Sequence, residues 1–420
     1  MKILLIHQNF PGQFKHLGPA LAKRGDQVVV LTPKVKESTT WKGITILPYG
    51  VARGTTPGIH PWLADFETKL IRGSACHEAA VALRNRGFDP DVILAHHGWG
   101  ESLFLKDVWP DARLGLYCEL YHRSGKQETG FDPEFPSTTP DRDTLRLRIK
   151  NINNRLHEEV MDAGISPTQF QAGTYPEKYQ SRITISHDGI DTRLVRPDAD
   201  ARLDLTDGTT VTARDEVITF INRNLEPYRG YHVFMRALPD LLRRRPRAQV
   251  VLLGGDETSY GAKPPQGKTW KQIFIDEVRP AIPDGDWARV HFLGRVPYAT
   301  FLSMIQVSSV HVYLTYPFVL SWSLLEAMSA ECAIVASDTA PVREAIIHGE
   351  TGMLVDFFDT AALVERTCEL LESREHRDIL GSNARRFVRQ RYDLQSVCLP
   401  RQLKWVDDLA RAHPIKLPQD

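Results

Sequence analysis

No C-x-x-C pair occurs in the 420 residues, and the five cysteines, Cys76, Cys118, Cys332, Cys368 and Cys398, are scattered and odd in number. That pattern argues against a disulfide framework and a zinc site, and it fits a reducing compartment. There is no excess of either charge, since Lys+Arg and Asp+Glu are both 52. A chain without net charge is not built as a general nucleic-acid binder, which needs a basic face to neutralise phosphates. No apolar run is long enough to span a bilayer. The chain opens directly on Lys2-Ile3-Leu4-Leu5-Ile6 instead of the charged and apolar regions of a signal peptide. The expectation is a cytoplasmic protein. The basic run Arg243-Arg244-Arg245-Pro246-Arg247 leaves peripheral contact with acidic lipid headgroups open, a solvated helix end being the plainer explanation. Also missing is G-x-G-x-x-G. The first strand-to-helix turn carries Pro11-Gly12, so a dehydrogenase-type pyrophosphate turn is not supported.

What is present is ordinary soluble composition, 42% apolar and 25% charged, in a chain too long for one core. Two domains are expected. Short apolar runs predict strands at 3–7, 28–31, 91–95, 114–118 and 182–186, then at 216–221, 249–253, 290–293, 310–315 and 333–337. Helical spacing predicts helices at 14–24, at 61–86 with an interruption near Gly73, and at 146–162, 233–242, 321–328, 361–371, 375–392 and 397–410. Strand–helix alternation in two halves implies an α/β protein of two Rossmann-like, doubly wound parallel-sheet domains facing a cleft. In such sheets ligands meet the loops at the carboxyl ends of the strands. The Pro-, Thr-, Asp- and Phe-bearing stretch 130–141 reads as a long loop on the acceptor side of the first domain. The polar stretch between the halves, 192–215, reads as a linker.

Several loop residues carry candidate chemistry. His96 and His97 follow a strand, where a histidine is better placed for chemistry than inside a core; neighbours there point to opposite faces, so the pair does not suggest one metal site. Arg223 and Arg229 lie between a strand and a helix, and two guanidiniums suit a diphosphate, a surface salt-bridge role being the alternative. The helix predicted at 321–328 begins near Ser321, Trp322 and Ser323, and N–H groups at a helix start hold phosphate. Glu326 on that helix has two readings: Ser323-Leu324-Leu325-Glu326 has capping-box spacing, and a carboxylate there also suits a pair of ribose hydroxyls.

The stretch 311–356 resembles the nucleotide-sugar signature of the retaining glycosyltransferases of family four, which have the GT-B fold. The matching residues are Glu326-Ala327-Met328, the strand 333–337, Pro341-Val342-Arg343-Glu344 and Gly349-Glu350-Thr351-Gly352-Met353-Leu354-Val355. The family's earlier glutamate, which acts close to the donor sugar, is absent: Phe318 takes its place. The resemblance extends to Asn222-Arg223-Asn224 and Arg229-Gly230, where the family has Gly-Arg-Leu and Lys-Gly, and to His187-Asp188-Gly189-Ile190-Asp191, which resembles the end of the family's first domain.

It implies a first domain at 1–191, the linker 192–215, a nucleotide-sugar domain at 216–390 and a segment 391–420 whose helix returns to the first domain. It further implies that Arg223, Arg229 and the N–H groups of Ser321, Trp322 and Ser323 hold the donor diphosphate, and that Glu326 holds the ribose. Gly294 and Val296 would meet the base, Gly12 would face diphosphate and acceptor, and His96 would act beside the sugar. The implied activity is transfer from a UDP- or GDP-sugar to a hydroxyl of a glycan, lipid-linked sugar or small metabolite, without a metal or other cofactor. Its rivals are a non-catalytic sugar-nucleotide binding protein or subunit, which Phe318 favours, and a GT-B enzyme of another reaction, such as an epimerase or a pseudo-glycosidic synthase. Donor sugar, acceptor and oligomeric state are not readable from the sequence.

Overall fold

The structure, a computed structural model, describes residues 1–125, 127–137 and 139–417. It divides into two compact units: Met1–Gly125, Ser137–Gly189 and Gln395–Asp420 form the first, Lys126–Pro136 and Ile190–Leu394 the second.

The first unit is built on β1 (Lys2–Ile6), β2 (Gln27–Thr32), β3 (Thr39–Trp41), β4 (Ile44–Pro48), β5 (Val92–Ala95), β6 (Arg113–Tyr117), β7 (Ala163–Ser166) and β8 (Ile183–Ile185). Their order is β3-β4-β2-β1-β5-β6-β7-β8, with only the β3–β4 pair antiparallel. Ile3, Leu4, Leu5 and Ile6 are all fully buried, without alternation, because a wound parallel sheet is covered on both faces. The chain works outward from β1 to one side and then returns to β1's other edge as β5. Loops leaving β1 and β5 therefore diverge, which opens a crevice at that point of the sheet. The helix Leu399–Arg411 belongs to this unit and packs Trp405, Val406 and Leu409 against Leu5, Val92 and Leu94. A Cβ on Gly115 would stand 2.6 Å from Leu409 and 2.8 Å from Trp405, so the helix needs glycine on β6 to seat.

The second unit contains β9 (Arg202–Asp204), β10 (Thr210–Thr212), β11 (Val217–Asn224), β12 (Gln249–Gly255), β13 (Val290–Gly294), β14 (Val310–Tyr313), β15 (Ala333–Ser337) and β16 (Met353–Val355). Six of these strands make a wholly parallel sheet in the order β13-β12-β11-β14-β15-β16, whose reversal lies between β11 and β14.

Four expectations are corrected. The stretch 192–215 is not a linker: β9 and β10 form an antiparallel hairpin, and Val195, Ala201, Leu203, Leu205 and Val211 are buried in the second unit's core. The helix Ala64–Asn85 runs through Gly73 without interruption, and the glycine serves packing, since a Cβ there would stand 2.8 Å from the Gly100 carbonyl. Instead of one helix at 146–162 there are two, Pro140–Lys150 and Ile152–Val160. The loop assigned to the first domain is split: its described residues through Pro136 belong to the second unit, Ser137 returns to the first, and residue 138 lies outside the described residues.

Candidate functional site

In the first unit the residues that follow β1 and β5 meet. His7 and His96 are both buried, with ring centroids 5.5 Å apart. His96 also stacks on Trp99 at 4.2 Å and on Tyr117 at 5.2 Å. Its Nδ1 accepts the Gly98 N–H at 3.3 Å, which leaves the proton of the neutral ring on Nε2, 3.6 Å from the Glu119 carboxylate. Desolvation works to raise the Glu119 carboxyl, but the neighbouring His96 outweighs it and holds the group below its ordinary range. His7 donates from Nε2 to Gln13 Oε1, 2.6 Å away, and accepts the Asn9 N–H on Nδ1. Burial, with His96 alongside, lowers its pKa to about 3, so it is a neutral group at any ordinary pH.

Gly12 lies in this cluster with φ +42, and a Cβ there would fall 2.1 Å from the His7 imidazole. The absent side chain makes room for that ring. Gly12 thus lies in the strand-to-helix turn and against the His7 ring at once. His97 points elsewhere: its nitrogens meet the Tyr117 carbonyl and Asn154, both at 3.1 Å, which makes it a buried structural residue.

The second unit assembles the remaining candidates around the β11–β14 reversal. Arg223, near the end of β11, is exposed. Arg229 is buried and fixed: Nη1 donates to Thr315 Oγ1 at 2.8 Å and to the Val319 carbonyl at 2.9 Å. The guanidinium also lies 5.3 Å from the Phe318 ring and 5.4 Å from Tyr260, distances at which aromatic faces attract a cation. Phe318 thus occupies the place of the absent glutamate by packing on Arg229. Glu226 accepts the N–H groups of Ser259 and Tyr260, tying the loop after β12 to this site; burial raises its pKa.

The helix Trp322–Ser329 has Ser321 as its N-cap, without a side-chain cap bond. Glu326 is then beyond the third helical position that a capping box uses, so that reading falls. Its carboxylate instead accepts the Tyr298 hydroxyl at 2.6 Å. This bond links Glu326 to the loop that carries Gly294 and Val296. Gly294 closes β13 with φ +65 and open space where a Cβ would sit; Val296 is half-buried. Arg295 between them reaches Asn224 Oδ1 at 3.3 Å, beside Arg223. Of the three N–H groups at the helix start, that of Ser321 already donates to the Tyr313 hydroxyl at 3.0 Å.

Gly294, Val296, Arg223, Arg229, the helix start and Glu326 are thereby connected through one loop network in one unit, while Gly12 and His96 form a cluster in the other. The sequence reading missed His7, Glu119, Tyr298 and Thr315. His7, Glu119 and Thr315 share a readable signal, a polar side chain just past a buried strand, whereas Tyr298 is distinguished only by its contact in space. Among the described residues, Asp132, Glu134 and His232 bring ligand-type atoms within 4.8 Å of one another. These groups are engaged: Glu134 pairs with Arg236 at 2.6 Å, and Asp132 with His232 at 3.0 Å.

Two wound parallel sheets, each with polar residues gathered where its strand order reverses, define the GT-B fold of sugar transfer. Residues 24–195 match the glycosyl transferase family 4 group and residues 208–387 the glycosyl transferases group 1. The chain belongs to the glycosyltransferases of this family. D-inositol 3-phosphate glycosyltransferase of Corynebacterium efficiens is 22% identical over 378 residues, 87% of this chain and 83% of that protein. Phosphatidyl-myo-inositol mannosyltransferase of Mycolicibacterium smegmatis is 33% identical over 166 residues, 38% of this chain and 37% of its own. Among solved structures, sucrose-phosphate synthase from Thermosynechococcus elongatus superposes with a TM-score of 0.73 at 19% identity, covering 98% of this chain and 99% of that one. HepE of Anabaena, solved in complex with UDP and glucose, gives 0.66 at 16% identity, covering 97% and 100%. No described helix is long and apolar enough to cross a membrane.

Proposed function

We propose that the protein is a retaining glycosyltransferase that moves a sugar from a nucleoside-diphosphate sugar, UDP- or GDP-linked, to a hydroxyl acceptor. The observation that carries the reading is Arg229, a buried guanidinium held by Thr315 and Val319 where the second sheet reverses its strand order. When the glycosidic bond to the diphosphate breaks, charge grows on the leaving phosphate and an oxocarbenium-like carbon remains. A cation fixed beforehand stabilises that charge without reorganising. Arg229 supplies it, with Arg223 and the N–H groups of Trp322 and Ser323 beside it. Glu326 takes the ribose hydroxyls, the loop at Gly294 and Val296 takes the base, and His96 in the first unit acts beside the sugar, with Gly12 keeping its loop close. The nucleotide sugar is a substrate, and the reading needs no resident metal. The UDP of the HepE complexes supports a UDP-sugar donor, and the relatives named for inositol phosphate support a small hydroxylated metabolite as acceptor. Peripheral membrane contact and a cytoplasmic location are consistent with this reading and carry no part of it.

Phe318 favours one alternative, a protein that binds the nucleotide sugar without turning it over. Nucleoside-diphosphate release from UDP-, GDP-, ADP- and dTDP-sugars separates the two, measured for wild type beside Arg229→Ala and Glu326→Ala. Expected is release from one donor, lowered roughly 10- to 100-fold by each substitution, as befits hydrogen bonds to charged groups. With an acceptor in hand, the anomeric configuration of the product reports retention. Tight binding without release, with or without acceptors, selects the alternative; no binding of any donor overturns both.

A further inference from the structure

The segment 127–136 is flanked in sequence by first-unit residues, yet it is part of the second unit, and the function proposed above makes no use of it. We propose that Asp132 in this segment is a positioning residue for the donor diphosphate, acting on Arg229 through Tyr316; this rests on Arg229 being the diphosphate ligand. Asp132 is buried, and its Oδ2 accepts the Tyr316 hydroxyl at 2.6 Å and lies 3.0 Å from His232 Nε2. Phe131 adds a ring 5.0 Å from that of Tyr316. Tyr316 is thus clamped from the segment side by a carboxylate and an aromatic face.

Two of the groups that confine Arg229, Thr315 and Phe318, are linked to Tyr316. Thr315, its chain neighbour, supplies the Oγ1 that accepts from Nη1. Tyr228, the residue before Arg229, accepts the Tyr316 N–H on its carbonyl at 3.0 Å and packs against the Tyr316 ring at 4.7 Å. Tyr228 in turn meets Phe318 edge-on at 5.4 Å, and Phe318 covers the guanidinium. An arginine side chain has several rotatable bonds, and a diphosphate must otherwise immobilise them at the cost of affinity. A Tyr316 fixed by Asp132 holds Arg229 in place before the donor arrives. Because Arg229 also meets the charge that grows on the leaving phosphate, loss of its positioning weakens donor binding and lowers kcat as well.

The segment has a second anchor that makes the test clean. Glu134 forms a forked pair with Arg236 at 2.6 and 2.7 Å, and Arg236 also holds Glu277, so loss of Asp132 leaves the segment attached.

The experiment titrates the full-length protein calorimetrically with whichever of UDP, GDP, ADP and dTDP wild type binds most tightly. Asp132→Ala, Tyr316→Phe, the double variant, Glu134→Gln and Arg229→Ala are compared, each with its thermal midpoint. Asp132→Ala and Tyr316→Phe are each expected to weaken binding on the order of tenfold, and the double variant no further, since both break one link. The KM for the donor rises in step and kcat falls in the same two variants, while Glu134→Gln leaves both unchanged. Glu134→Gln binds as wild type. Three results overturn the proposal: wild-type affinity in Asp132→Ala, additive losses in the double variant, or an equal loss in Glu134→Gln, which would mark mere attachment of the segment. Undiminished binding in Arg229→Ala, or no binding by wild type, instead overturns the reading of Arg229 on which it rests.

Discussion

At Glu326 and Gly12 one contact in space adds what the sequence leaves open. The helix of Glu326 starts at Trp322, so the carboxylate lies past the capping position and holds the Tyr298 hydroxyl instead. Tyr298→Phe removes that donor and leaves the carboxylate whole, so donor KM should change by no more than about threefold, because the group that meets the substrate is retained. Glu326→Gln should raise it by more than tenfold; equal effects from the two substitutions would place the hydroxyl, and not the carboxylate, on the substrate. Gly12 was readable as a turn residue, but its reason was not, because the His7 ring reaches it through space. An alanine there forces the imidazole away and strains a positive φ, at about 1–3 kcal/mol. Gly12→Ala should therefore lose transfer activity at least tenfold while the protein still unfolds cooperatively, as urea melts beside kinetic assays would show.

Among elements, those with continuous apolar runs were legible and those with one buried residue in three were not. β1, β5 and β11 read plainly because both of their faces are covered. The hairpin β9–β10 buries only Leu203 and Val211 from its two short strands, between exposed or half-exposed neighbours, and such a pattern is indistinguishable from a polar connection. The distinction is measurable. A tether tolerates truncation, whereas Leu203→Ala should cost about 2–4 kcal/mol of stability in denaturant titration, the range for a core leucine. The candidate loops of the second unit were legible through their charged residues, Arg223, Arg229 and Glu326. Their supports, Tyr316 from Asp132 and Glu326 from Tyr298, join positions far apart in sequence, and no local spacing announces them.

For the whole molecule, buried ionisable groups set the direction of its pH response. Burial holds His7 near 3 and His157, His187 and His311 near 4, and it also lowers His97 and His291. Each stays neutral in the folded chain but takes a proton when unfolded below its ordinary value of 6.5. Their contribution is complete above pH 6.5 and lost as pH falls toward 4. Burial also raises Glu101, Glu158 (to about 7) and Glu226, whose effect runs the other way, destabilising as pH climbs from 4.5. Six groups outweigh three, each worth at most about 1.4 kcal/mol per pH unit. The urea midpoint should therefore be clearly lower at pH 5 than at pH 7, and His311→Asn should flatten the difference; a midpoint independent of pH would contradict the burial of these rings.

The last helix, Leu399–Arg411, carries a further implication, one of timing on the ribosome. The second unit's residues end at Leu394, ahead of that helix, so this unit can close while the first still lacks Trp405, Val406 and Leu409. At roughly 5–20 residues per second, the more than two hundred residues between β8 and that helix take on the order of 10–40 s to emerge. Throughout that interval the apolar side of β5 and β6 waits uncovered in the nascent chain, a natural client for a chaperone. In this protein the domain translated first is the one completed last.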